Sequence, residues 1–241
     1  MGRLGVLVKG EVSRLTKYGL FQATLVVTVF WLGAAWFMDD QVIEMFVPLI
    51  FLLEATMMTI LLVGATMFFE KKESTVNSIL VSPVTMQEYI AAKIIMNVIN
   101  SLVSVVIISV AIYLMKGITF NYLLLVPAMI MVTVIHTLIG IKIAYMSLNF
   151  SSLLANYMVY VFLFLLPPVL ALFNVIRGVV TDFFILLPPE SSNIILSSVF
   201  REVETWRLLA SWVYLLVLSV LVYRFMVKPG FDDFVMREAG V

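Results

Sequence analysis

A succession of apolar runs restricts this chain more than any other feature. Each is long enough for a helix to cross the roughly 30 Å hydrocarbon layer of a bilayer. Six spans are expected, over residues 20–38, 45–69, 92–115, 122–146, 153–176 and 207–226. Charged residues are only 12% of the chain, against roughly 25% in soluble domains, and mean hydropathy is +1.11. The expectation is an all-α polytopic membrane protein, one transmembrane domain over 1–241, without a soluble domain.

Lysine and arginine placement sets orientation. With six spans, Arg3, Lys9, Arg14, Lys17, Lys71, Lys72, Lys93, Lys142, Arg224, Lys228 and Arg237 share one side. Lys116, Arg177, Arg201 and Arg207 take the other. Eleven against four puts both termini and the 70–93 segment in the cytoplasm. The zero net charge says nothing about partners, because the charges are segregated along the chain.

Residues 2–18 read as an amphipathic helix lying in the interface. Leu4, Leu7, Val8, Val12, Leu15 and Tyr18 gather on one face, with Arg3, Lys9, Arg14 and Lys17 off it. Glu11 interrupts the apolar stripe and reads as a rim charge or as a pair for a partner's base. The same charges make this stretch too polar for a cleavable signal.

The longest polar interruption is EKKESTVNSILVSPVTMQEYIAAK, Glu70 to Lys93. Ser74 or Thr75 can cap a short helix whose Val76, Ile79 and Leu80 share a face at i, i+3, i+4 spacing. Ser82-Pro83 breaks that helix. Thr85 and Glu88 then form a capping box for a helix running directly into the third span. A loop that merely joined two spans would need about 2–8 residues. This one presents a surface.

Glu70-Lys71-Lys72-Glu73-Ser74-Thr75-Val76, then Ile79-Leu80-Val81-Ser82-Pro83 and Glu88-Tyr89-Ile90-Ala91-Ala92-Lys93, resembles the signature of type-2 ABC transporter permeases. It departs from that pattern at Lys71-Lys72 where an Arg is usual, at Ser74 for Gly, Val76 for Leu and Asn77 for Glu. The order and spacing are kept, and the six-span layout extends the resemblance to the whole chain. The resemblance implies the membrane subunit of an ABC exporter in the plasma membrane, of the drug or small-molecule type. It would pair with a second permease copy, identical or related, and with two separate ATPase subunits that bind ATP and Mg. Residues 70–81 would be the coupling helix, with Val76, Ile79, Leu80 and Pro83 docking on the ATPase. Glu70, Lys71, Lys72 and Glu73 would set register through ion pairs. The cargo would be amphipathic or lipid-like, with membrane lipids as neighbours and no nucleic-acid partner.

Between the last two long runs, Pro167-Pro168 should kink or break the fifth span. Thr181 to Leu187 is apolar but too short to cross, and Pro188-Pro189 should stop it. Ser191 or Ser192 should start a second short segment ending near Glu204. The resemblance implies extracellular re-entrant helices over 178–206. No internal repeat of the kind many secondary carriers show is present.

Several polar residues lie at membrane depth. A charge at Glu54 would cost about 2.5–3.5 kcal/mol, so it should face protein or water. It reads either as a residue lining a translocation path or as a packing group. His136 belongs to a small-polar stripe with Thr133, Thr137, Gly140 and Ala144, the usual glue between membrane helices. Asn97 and Asn100 on the third span and Asn156 on the fifth are further path candidates. No G-x-x-x-x-G-K-[ST] motif occurs, so no nucleotide or other cofactor is expected on this chain. One histidine without cysteine makes no metal site. A catalytic cluster is also missing, so the chain is not expected to be an enzyme. A proton-coupled secondary transporter using Glu54 and His136, and a non-transporting membrane scaffold, remain as alternatives.

Overall fold

A computed structural model describes residues 2–73, 75 and 82–239. The expected coupling helix, with its contact residues Val76, Ile79 and Leu80 and the candidate cap Ser74, lies outside the described residues. Every element among them is helical.

The N-terminal helix α1 (Arg3–Lys17) and α2 (Leu20–Trp36) meet at a 65° bend. Gly19 makes that bend at φ +68°, a left-handed conformation natural to glycine. Of the α1 residues only Glu11 and Leu15 are buried, while Val6 and Val12 stay exposed. That exposure suits a helix lying on an apolar surface.

Next come α3 (Asp40–Leu53) and α4 (Thr59–Lys72), joined end to end by a π turn over Glu54–Met58. The capping box at Thr85 and Glu88 is present and starts α5 (Met86–Lys116), six residues ahead of the expected span. A left-handed Gly117 closes it. Then follow α6 (Tyr122–Met146), α7 (Phe150–Tyr160) and α8 (Leu166–Leu172), the last two joined by a π turn over Val161–Leu165. Pro167-Pro168 therefore does not break the fifth span. The prolines sit in the first turn of α8, where a missing N–H matters least, and the preceding π turn absorbs the misfit.

A 3-10 helix, Val179–Leu186, and α9 (Pro188–Ser197) follow, bent 94° to one another. Pro188 and Pro189 stop the 3-10 helix, with Leu187 extended before them at φ −88° and ψ 127°, and they also begin α9, because proline's fixed φ suits a helix's first turn. The helix starts there and not at Ser191 or Ser192. Finally, α10 (Thr205–Val222) runs through a π turn into α11 (Lys228–Ala239). The last span thus continues well past residue 226. Its end packs on α6, with Tyr145 stacked on Phe234 at 4.8 Å.

Among the described residues five helical stretches are long and apolar enough to cross a membrane: Phe46–Lys72, Met86–Lys116, Tyr122–Met146, Phe150–Leu172 and Thr205–Arg237. The expected first span, α2, has 17 residues and joins α1 in a bent pair; counting each bent pair as a span gives up to seven. α6 is the hub, touching α4, α5, α7, α9 and α10. Gly140 makes the closest approach possible. A Cβ there would lie 2.4 Å from Val63 Cγ1 and 3.1 Å from Ile60 Cα, so α4 and α6 meet with no room for a side chain.

Candidate coupling site

The chemistry gathers where α1, the end of α4 and the start of α5 converge. Arg14 and Lys17 occupy the last turn of α1, where cations favour the helix dipole. Glu11 lies one turn back. Glu70 projects from the last turn of α4, and Tyr89 and Lys93 share a face of α5 at i, i+4.

Arg14 Nη1 donates to Glu11 Oε1 at 2.8 Å and to Glu70 Oε1 at 2.9 Å. Lys93 Nζ donates to Glu11 Oε1 at 2.9 Å and to Glu70 Oε2 at 2.8 Å. Two acids and two bases thus alternate around a closed ring. The Tyr89 hydroxyl adds a 2.6 Å bond to Glu70 Oε2. Glu70 and Lys93 are 2% and 1% exposed, so water supplies almost none of their stabilisation.

Glu73 extends the ring outward. It accepts from Arg14 Nε at 3.4 Å, from the Tyr18 hydroxyl at 2.6 Å and from Lys17. Tyr18 also stacks on Phe69 at 3.7 Å. Burial, with the neighbouring Glu70 carboxylate, pushes Glu11 up to about 7 despite its two cations. Hydrogen bonds from Lys17 and Tyr18 hold Glu73 down at about 2.

A buried ring of this kind is worth little net against an apolar replacement, yet losing one member costs about 3–5 kcal/mol by stranding a charge. Its effect is to fix geometry. Arg3 Nη1 also donates to the Pro83 carbonyl at 2.8 Å, so α1 holds both stems of the 70–93 segment. Lys71 Nζ reaches the Leu148 carbonyl at 3.0 Å, which ties the same stem to the turn between α6 and α7.

Residues 2–239 match the family model of the fluoroquinolones export permease protein family. The chain belongs to that family. It is similar to the fluoroquinolones export permease proteins of two Mycobacterium tuberculosis strains, 24% identical to each over 246 residues, with all of both chains covered. No solved structure matches it. The chain is therefore a membrane permease of an export family.

In this export permease the expected docking residues divide. Glu70 faces inward and Glu73 is held by α1, so neither acid is presented freely. Lys72 and Pro83 are exposed. Glu11, expected at the rim or against a partner's base, is 5% exposed and pairs within the chain, because Lys93 arrives opposite it from α5.

The path candidates do not converge. Glu54 sits on the π turn, 2% exposed, and takes a 2.6 Å bond from Ser104 Oγ, while its Oε2 has no partner. His136 is fully buried, with Nδ1 2.8 Å from the Val132 carbonyl and Nε2 unpartnered. No hydrogen bond joins Glu54 to His136 among the described residues. Asn97 donates to the Lys93 carbonyl at 3.1 Å, Asn156 donates to Ser147 Oγ at 3.0 Å, and the Asn100 oxygen is unpartnered. Within the stripe around His136, Thr133 Oγ1 donates to Ser101 Oγ at 3.0 Å and Gly140 abuts α4. Among the described residues no three acidic or histidine side chains gather as a metal would need.

Sequence reasoning missed Arg14, Lys17 and Tyr18 as members of the site. The available signal was Glu11, an acid out of place on an apolar stripe, one turn from an arginine.

Proposed function

We propose that this chain is the transmembrane subunit of an ABC exporter, crossing the plasma membrane six times with both termini cytoplasmic. It works with a second permease subunit, identical or related, and two ATPase subunits that carry ATP and Mg. The observation that carries this reading is the buried ring of Glu11, Arg14, Glu70 and Lys93. It fastens both stems of the 70–93 segment to α1 and to two spans, so a push on that segment moves them as one body. Lys71, Lys72, Val76, Ile79, Leu80 and Pro83 make the ATPase-docking surface, and Glu70 and Glu73 brace it from behind. The relatives' name suggests the cargo class: a small amphipathic drug such as a fluoroquinolone, moved out of the cytoplasm or the inner leaflet.

The test is co-purification with a co-expressed ATPase and ATP-dependent uptake into inverted vesicles. Ile79→Asp and Leu80→Asp should abolish ATPase association at normal membrane levels, whereas Lys93→Met should keep association and lose uptake. ATPase retained by both aspartate variants would place docking elsewhere. Hydrolysis by the purified chain alone would overturn the division of labour.

A further inference from the structure

A polar recess lies at the end of the bundle away from the ion-pair ring, between the α8 end, the 3-10 helix, α9 and the start of α10. Its volume is about 420 Å³, within the roughly 300–1,000 Å³ range of small-molecule sites. A second recess of about 320 Å³ shares Glu190, Asn193, Arg201 and Arg207 with it. Three of the four cations that sequence assigns to this side, Arg177, Arg201 and Arg207, line the first recess.

The turn after α8 is built to place Arg177. Asn174 takes a positive φ of 59°, Gly178 a φ of 93°, and Arg177 Nε donates to the Asn174 carbonyl at 2.7 Å. Arg201 Nη2 donates to Ser197 Oγ at 3.3 Å. Among the described residues none of the three arginines forms an ion pair, although Asp182 and Glu190 also line the cavity. Asn193, 8% exposed, donates to Glu190 at 3.4 Å, and Arg207 and Arg201 act on the same carboxyl only through space.

One wall of the recess is apolar, formed by Pro168, Leu172 and Phe184. Beside it the 3-10 helix exposes Val179, Phe183 and Leu186, each more than 60% accessible. Trp206, 64% exposed on the first turn of α10, fits the headgroup level where tryptophan gathers.

We propose that this recess binds an amphipathic oxyanion, its anionic group among Arg177, Arg201 and Arg207 and its apolar body along the 3-10 helix. The planar guanidinium fork suits phosphate and carboxylate oxygens, and the apolar strip continues from that pocket into the bilayer. Two sources carry this chemistry: the headgroup of an anionic membrane phospholipid and the carboxylate of an exported drug. The proposal stands apart from the transport reading, because binding is read on the chain alone without an ATPase.

The experiment is calorimetric titration of the full chain in non-ionic detergent. Its probes are short-chain phosphatidylglycerol, short-chain phosphatidylcholine and a fluoroquinolone. Saturable binding of phosphatidylglycerol over phosphatidylcholine is expected, weakened at least about tenfold in Arg201→Gln/Arg207→Gln. Lys228→Gln, at the opposite end, should bind as wild type does. Arg201 is exposed and Arg207 half-buried, and an unchanged melting temperature checks that the double variant is folded. Arginine-dependent binding of the lipid alone assigns the recess to lipid, and of the fluoroquinolone alone to cargo. Equal binding of both phospholipids without arginine-dependent fluoroquinolone binding overturns the proposal. So does wild-type affinity in the double variant, or no binding of any probe.

Discussion

The Lys93 ammonium lies 2.8 Å from the Glu70 carboxylate, both nearly sealed from water, and that contact joins the start of one long helix to the end of another. The two residues are 23 positions apart in sequence. The contact therefore holds together the two helix ends that flank the polar segment.

Lys93→Met should destabilise the chain by about 3–5 kcal/mol, because Glu11 and Glu70 would then share one arginine in a buried site. Adding Glu11→Gln should recover part of that loss by removing one stranded charge. Thermal unfolding of the purified variants measures both effects. A double variant no more stable than Lys93→Met would show that the two side chains do not act through each other.

Acidity should act on Glu11 in a defined direction. Its folded pKa is raised to about 7 from an ordinary value of 4.5, so between those values the folded state holds a proton that the unfolded state has released. Stability from this group is complete below about pH 4.5 and declines as pH rises to about 7. Wild type should therefore lose stability relative to Glu11→Gln across that window, with the difference constant above it. Melting temperatures at several pH values test this, and parallel curves would refute it.

Gly140→Ala should cost about 1–3 kcal/mol, since the new methyl meets the Ile60 backbone as well as Val63. Val63→Ala should relieve only the side-chain part. Stability recovered in full by the double variant would mean that the α4 backbone can withdraw.

Glu54→Gln should keep most ATP-dependent uptake into inverted vesicles, because the amide can still accept from Ser104. Glu54→Leu should impair assembly or cargo passage. Complete loss in the glutamine variant at normal membrane levels, with strong pH dependence in wild type, would favour proton coupling instead.

The long helices were legible because crossing hydrocarbon demands length and apolarity, and both are written locally. The Thr85–Glu88 cap was equally local. The π turn at Glu54 was not, because it lies where the chain packs on α6, a contact that no local pattern records. Pro188 ends the 3-10 helix as its ring dictates, but that it also begins α9 was not legible, because the residue that ends one helix need not begin the next. Glu70 and Lys93 stood out in the motif, but their inward direction depended on Arg14 and Glu11, more than fifty residues away. A single-helix pattern carries no record of such a partner.

The ring also constrains the order in which the protein can be built. Glu11 and Arg14 leave the ribosome first, yet the groups that neutralise them, Glu70 and Lys93, emerge dozens of residues later. Until Glu70 emerges, the leading helix carries a carboxylate and a guanidinium that have only each other, and Glu11 gains its second cation only when Lys93 follows. It must wait at the membrane surface during synthesis and take its seat last among the first three helices. A nascent chain stalled before Lys93 should leave that helix open to protease, and one stalled well beyond it should not.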